Sequence, residues 1–388
     1  MKPALRFPEK FLWGAACASY QVEGGIENCD WAMAGRAGRV PPCGSACDHY
    51  NRYESDFDNA QKLGHNSHRI SIEWARIEPE EGQFDRNEVV HYKNVIKALR
   101  ARGLEPIVTL WHFTLPAWFA NDRGFENPKS VERFGKYAEF VAKEILNEVK
   151  FVQTINEPLV WAGNGYIRGY WPPFRKNYIS YLKVVRNLAT AHQKAYETIK
   201  TVRGDLLVGI AKNNMFFSAK GVNPLNYLMA VVSSYWWNRY FLSKIRRESD
   251  FIGLNFYKTL VFGPKSSLPK SDMGWDIFPE GIYHVLKELG RYKKPIYVTE
   301  NGVADADDSI RKNFIRDHLI QVHGAIQEGV DVRGYFYWSL LDNYEWAHGF
   351  EKRFGLIEVD FVTQERRIRA SAIAYKNICE TNALETES

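Results

Sequence analysis

The sequence predicts a single (β/α)8 TIM barrel, the closed form of the α/β class, and three observations lead there. Eight short apolar, β-branched or aromatic runs recur along the 388 residues. Longer amphipathic stretches separate them. No Pro-, Ser- or Gly-rich linker and no low-complexity segment divides the chain, so residues 1–388 read as one domain although the length alone allows two or three. Strands apolar enough to be covered on both faces, alternating with helices, pair in parallel. Eight such units are the number that closes a barrel.

The runs follow in order as FLWGAA (residues 11–16), SHRISIEW (67–74), EPIVTLWHF (105–113), FVQTINEP (151–158), LLVGIAKN (206–213), DFIGLNFY (250–257), PIYVTENG (295–302) and RGYFYWSL (333–340). Between them, residues 89–103 place Val89, Tyr92, Val95, Ile96 and Leu99 on one helical face and stop at a glycine. Residues 127–149 repeat the pattern over more turns. Residues 308–329 begin at Asp308, read as an acidic cap, and also stop at a glycine. An open doubly wound sheet is the competing architecture. It is disfavoured because GAACASYQVEGG, after the first strand, lacks the spacing of a phosphate-binding glycine loop.

Composition narrows the function. A net charge of +5 is small and dispersed, and the basic groups KIRRES (244–249), RYKKP (291–295) and QERRIR (364–369) read as helix ends and solvated loops. No nucleic-acid partner is expected from them. The first residues, MKPALRFPEKFLWG, hold no apolar core of signal-peptide length, and no stretch reaches membrane-spanning length, so a soluble cytoplasmic protein is expected. Five cysteines, an odd number, suit free thiols in a reducing compartment. Cys43, Cys47 and His49 have irregular spacing and no second ligand pair, so no metal is expected. The 12 Trp, 21 Tyr and 23 Phe fit a large core, and equally a site that stacks flat apolar faces such as sugar rings.

In a barrel, catalytic groups gather where the strands end. The polar and aromatic residues there are Gln21, Arg69, His112, Asn156, Glu157, Asn255, Tyr257, Glu300 and Trp338. Two carboxylates, Glu157 and Glu300, therefore face one mouth from the fourth and seventh strands. A carboxylate closing an apolar strand is costly to bury unless it is paired or used. Two carboxyl groups flanking an acetal supply a proton for the leaving oxygen and negative charge beside an oxocarbenium-like centre. Arg69 and Tyr257 suit an ionised nucleophile, whereas the neutral neighbours of Glu157 and the following Pro158 suit an acid. A structural ion pair with Arg69 is the bland alternative for either residue alone.

TINEP (154–158) and YVTENG (297–302) resemble the two signature stretches of glycoside hydrolase family 1, the β-glucosidase/β-galactosidase family. FPEKFLWGAACASYQVEGG (7–25), ACDHYNRYESD (46–56), HRISIEWARIEP (68–79), IGLNFY (252–257), WSLLDNYEWAHGF (338–350) and RFGLIEVD (353–360) continue the likeness in family order. The resemblance implies a retaining, exo-acting β-D-glycosidase that needs no cofactor and takes small-molecule β-glycosides or oligosaccharides. Glu157 would be the acid/base and Glu300 the nucleophile, held by Arg69 and Tyr257, with Asn156 at the sugar's 2-hydroxyl. Gln21, His112, Asn255, Glu345 and Trp346 would bind substrate, with Trp338 as the platform under the ring.

Some positions depart from the family pattern. Phe113 stands where members often carry Trp, and Leu159 where many carry Trp, with Trp161 two places on. The connection over residues 263–276 is brief, so a more open aglycone side is expected. Glu345 stands in place of the serine of phospho-sugar members and no lysine is read as standing ready for a phosphate, so unphosphorylated glucosides, galactosides or fucosides are the expected substrates. A transglycosylase, a non-catalytic sugar-binding relative and a metal-dependent hydrolase are the other readings, and oligomeric state stays open.

Overall fold

The computed structural model describes residues 4–264 and 266–385. All eight predicted runs become strands of one closed parallel barrel: β1 (Leu12–Ala16), β2 (Ser67–Ser71), β3 (Glu105–Trp111), β4 (Phe151–Asn156), β5 (Leu207–Asn213), β6 (Phe251–Phe256), β7 (Ile296–Asn301) and β8 (Val332–Trp338). Each pairs with the next in sequence, and β8 closes onto β1. Helices α1 (His49–Lys62), α2 (Arg86–Ala101), α3 (Ser130–Glu144), α4 (Tyr178–Val202), α5 (Pro224–Ser234), α6 (Glu280–Leu289), α7 (Arg311–Gln327) and α8 (Ala370–Thr381) follow the strands in turn.

The helix starts differ from the sequence reading for identifiable reasons. α2 begins earlier, at Arg86, because the Asp85 side chain accepts from the backbone N–H groups of Asn87 and Glu88. α7 is not capped by Asp308. The Asp305 carboxylate accepts from the N–H groups of Ile310 and Arg311, at 3.0 and 2.9 Å, while Asp308 is taken by the Arg311 guanidinium and by Ser371. α3 stops at Glu144, and a 3-10 turn over Leu146–Glu148 completes the segment expected as one helix. The two predicted glycine stops hold: Gly103 and Gly329 both have positive φ.

Ile107, Phe151, Phe251, Tyr297 and Phe336 come from five strands and touch one another, so they fill the barrel interior. A polar layer follows, in which Arg69 donates to Thr109 (3.1 Å) and Thr109 to Gln153 (3.3 Å). Gly253 makes room for this layer, because a Cβ there would lie 2.1 Å from the Gln153 amide nitrogen. Gly302 does the same at the rim, where a Cβ would sit 1.9 Å from the Trp338 carbonyl oxygen. The glycine of YVTENG thus lets the ends of β7 and β8 meet.

The five cysteines are buried and unpaired. Cys43 and Cys47 donate to the carbonyl oxygens of Tyr20 and Asp342, and among the described residues no group of three or more His, Cys, Asp or Glu is arranged to hold a metal.

The loop after β8 is tied down by charge. Asp342 is fully buried and accepts from Arg369 at 2.8 and 2.9 Å and from the Gly355 N–H at 2.8 Å. Removing one partner of such a pair leaves a buried charge unmatched. Asp342→Ala is expected to lower stability by about 3 to 5 kcal/mol, read from urea denaturation; an unchanged midpoint would show that water replaces the carboxylate.

Candidate active site

The strand ends open into a cavity of about 650 Å³. Gln21, His112, Asn156, Glu157, Tyr257, Glu300, Trp338, Glu345 and Trp346 all line it. Arg69 and Asn255 lie behind that wall and hold it.

Glu300 ends β7 with both oxygens occupied. Arg69 Nη1 donates to Oε1, and the Tyr257 hydroxyl donates to Oε2 at 2.6 Å. The Arg69 guanidinium also donates to Asn156 Oδ1 at 2.8 Å. Arginine has no acceptor, so this bond fixes the Asn156 amide with Nδ2 turned towards His112. Nδ2 lies 3.1 Å from His112 Nε2, which must therefore accept, leaving the ring proton on Nδ1. Burial, with Arg69 nearby, holds His112 well below its ordinary pKa and so neutral.

Glu157 is differently placed. It follows β4 in the left-handed region, φ 43°, and Pro158 opens the short helix Pro158–Gly163 behind it. Phe113 and Trp346 at the same mouth also have positive φ, and such non-glycine conformations persist where the surroundings over-determine them. Two neutral amides donate to Glu157 Oε1, Asn255 at 2.9 Å and Asn213 at 3.1 Å. Oε2 carries neither bond and is the oxygen free to hold a proton. Burial, then the charge of Glu300, pushes Glu157 well above the usual carboxylate range.

One network joins the two carboxylates. Asn255 Nδ2 donates to both Glu157 and Asn156 Oδ1, its own Oδ1 accepts from Thr299 at 2.8 Å, and Arg69 links Asn156 to Glu300. Asn255 was expected to touch substrate. Its polar atoms are instead spent on protein partners, which makes it a residue that positions Glu157.

Glu345, beside Trp346, is the third carboxylate at the cavity and is pushed up to about 8 by burial and by Glu300 and Glu157. Gln21 Nε2 is held by Asn343 Oδ1 (3.0 Å) and the Tyr344 carbonyl (2.9 Å), with Glu345 at 3.4 Å. Its Oε1 is buried without a protein partner. The Trp338 and Trp346 rings flank the imidazole of His112, nearly parallel to it, with centroids 5.9 and 6.1 Å away.

Comparison with known proteins matches this arrangement. The sequence profile of Glycosyl hydrolase family 1 covers residues 4–250 and 258–384. The chain belongs to glycosyl hydrolase family 1. Beta-glucosidase A of Thermotoga maritima is 34% identical over 98% of this chain and 99% of its own. A beta-galactosidase of Sulfolobus acidocaldarius is 30% identical over 99% and 97%. Among solved structures, a beta-glycosidase from Pyrococcus horikoshii superposes with TM-score 0.93 at 39% identity, covering 99% of this chain and 97% of that one. The Thermotoga maritima beta-glucosidase in complex with glucoimidazole gives TM-score 0.93 at 33% identity, covering 98% and 100%.

Within this family-1 barrel, further side chains at or behind the cavity wall lie outside the set expected from the sequence. Asn213 ends β5, a strand-end position of the kind where functional polar groups of a barrel gather. Its neighbour Lys212 is buried, pushed down to about 7 by desolvation, and donates to the Asn213 carbonyl and to Asn214. Lys258 lines the cavity beside Trp275. The brief 263–276 connection supplies Met273 and Trp275 to the wall. Trp161 packs in the core against Trp111 and Phe125.

With δ-13C-glutamate labelling, Glu157 should take up its proton above the usual carboxylate range. Asn213→Ala removes a bond that favours the ionised form, so the midpoint should move further up. A midpoint that falls would show that the Asn213 amide does not act on Glu157.

Proposed function

We propose that this protein is a retaining, exo-acting β-D-glycosidase in which Glu300 is the nucleophile and Glu157 the acid/base. The observation that carries the reading is the unlike treatment of two carboxylates facing one cavity. Glu300 has a cation and a phenol on its two oxygens, whereas Glu157 meets only amides and has one oxygen free. Glu300 attacks the anomeric carbon as Glu157 Oε2 gives its proton to the departing glycosidic oxygen. The C–O bond to the aglycone breaks and a glycosyl ester forms on Glu300. Glu157, now ionised, takes a proton from water, whose oxygen attacks the same carbon and frees Glu300.

The surrounding groups supply recognition. Asn156 meets the 2-hydroxyl, where bonds tighten at the transition state. Gln21 Oε1 and neutral His112 offer bonds to further hydroxyls, Glu345 accepts from a pair of them, and Trp338 covers the C–H face of the ring. Glucosides, galactosides and fucosides are the glycones this set suits. The chain acts as one catalytic unit, and its five buried, unpaired cysteines support a reducing cytoplasmic setting.

Nitrophenyl β-D-glucoside, galactoside and fucoside test the reading. Glu300→Gly should lower kcat by at least about 10⁴-fold, and azide should restore turnover by forming an α-glycosyl azide. Equal activity in both proteins would remove Glu300 from the mechanism. Glu345→Ala should lower kcat/KM by at least about tenfold, through lost hydroxyl contacts; an unchanged value would place the sugar elsewhere.

A further inference from the structure

A lysine is rarely buried unless a carboxylate pairs with its nitrogen. Lys212 is only 1% exposed, and its nitrogen bonds to neutral oxygens. It precedes Asn213 on β5, and strand alternation turns the two side chains to opposite faces. Asn213 reaches the cavity, whereas Lys212 packs against the π-helical turn Tyr235–Tyr240 that continues α5. Its Nζ donates to the Asn213 carbonyl and, at 3.3 Å, to Asn214 Oδ1, and it stands 5.4 Å from the centroid of the Trp237 ring.

The charge of Lys212 is balanced from further off. Burial pushes its pKa down, and two carboxylates, Glu157 and Glu288, work against that. Glu288, on α6, is already held by the Arg239 guanidinium and the Asn238 amide. Glu157 is therefore the carboxylate left for Lys212 to balance. Burial and the charge of Glu300 push Glu157 up, and Lys212, with the Asn255 and Asn213 amides, works downwards. Lys258, after β6, also attracts Glu157, while the charges of Glu157 and Glu345 oppose each other.

Trp237 joins this charge to geometry. Its indole donates to Asn213 Oδ1 at 3.3 Å. An indole has no acceptor, so Asn213 must turn its Nδ2 the other way, and that nitrogen donates to Glu157 Oε1 at 3.1 Å. The ring that makes this bond is the ring beneath the Lys212 ammonium. Lys212 thus holds Asn213 twice, at its carbonyl and through the indole that orients its amide.

We propose that Lys212 is a positioning residue of the acid/base: it acts through Trp237 and Asn213, and its ammonium stabilises Glu157 as a carboxylate in the half-reaction where Glu157 is the base. There water attacks the anomeric carbon, the ester bond to Glu300 breaks, and the proton of water passes to Glu157. Glu300 is then an ester without charge, and the cation behind Asn213 remains. The inference rests on the β-glycosidase reading and adds a residue to it.

The test uses 2,4-dinitrophenyl β-D-glucoside, whose aglycone leaves without protonation. Its kcat then reports hydrolysis of the glycosyl ester, and the acid limb of kcat reports Glu157 as base. Lys212→Met removes the charge at similar volume. Glu157 becomes harder to ionise, so the acid limb should move to higher pH by about 0.5 to 1 unit, and turnover on that limb should fall about three- to tenfold. Trp237→Phe keeps a ring beneath the ammonium but removes the donor to Asn213, and should move the limb the same way by less. Azide attacks the glycosyl ester without giving up a proton, and should restore turnover on that limb in both variants as β-glucosyl azide. The Glu157 midpoint, read by δ-13C-glutamate labelling, should rise in both. A uniform loss of turnover with limb and midpoint unmoved would make Lys212 a packing residue and overturn the proposal. If Lys212→Met does not fold, an unmoved limb in Trp237→Phe overturns it equally. Release of dinitrophenol with unmoved limbs leaves the glycosidase reading standing, whereas no release by the native protein removes both.

Discussion

Burying Glu300 at the end of an apolar strand is the constraint on which the barrel mouth depends. A carboxylate at that depth is tolerable only with donors on its oxygens. Arg69 is the cation that reaches it, and Arg69 is itself buried. Its remaining donors then have to be satisfied, and they are, by Thr109 and Asn156. Once the Asn156 amide is oriented, the acceptor on His112 and the bond from Asn255 follow. One ion pair thereby sets the direction of polar groups on strands β2, β3, β4, β6 and β7.

The same crowding separates the carboxylates chemically. Glu157, Glu300 and Glu345 share a cavity, and like charges in one site cannot all be ionised cheaply. Arg69 and Tyr257 donate to the two oxygens of Glu300. The other two carboxylates are driven towards their neutral forms by burial and by the charge of Glu300. A carboxyl group driven towards its neutral form beside one paired with a cation is what this distribution leaves, and it arises without any metal-like group of ligands among the described residues.

The cavity is also divided along its length. Its inner end is dense in paired polar groups, and its outer wall is aromatic and aliphatic, merging with the uncharged face of α5. The inner end demands hydroxyls at set positions, because an unmatched buried donor or acceptor is costly. The outer wall sets no such pattern, because apolar contact scales with area and has little directionality.

The sequence by itself determined the eight strands, their parallel closure and the two carboxylates at the barrel mouth, because strand periodicity and strand-end position are local properties of the chain. It also put Arg69 and Tyr257 with a carboxylate, through their places at strand ends and their hydrogen-bonding chemistry. Only the tertiary structure decided how their partners divide. Asn255 ends a strand as Asn156 does, yet its amide is consumed by Glu157, Asn156 and Thr299. Asp305 and not Asp308 caps α7, because Arg311 and Ser371, which is distant in sequence, compete for Asp308. Trp161 turns into the core while Trp236, some seventy residues later, reaches the cavity. Hydrogen-bond partners and cavity walls depend on which side chains meet across the barrel, and those distances exist only once it has closed.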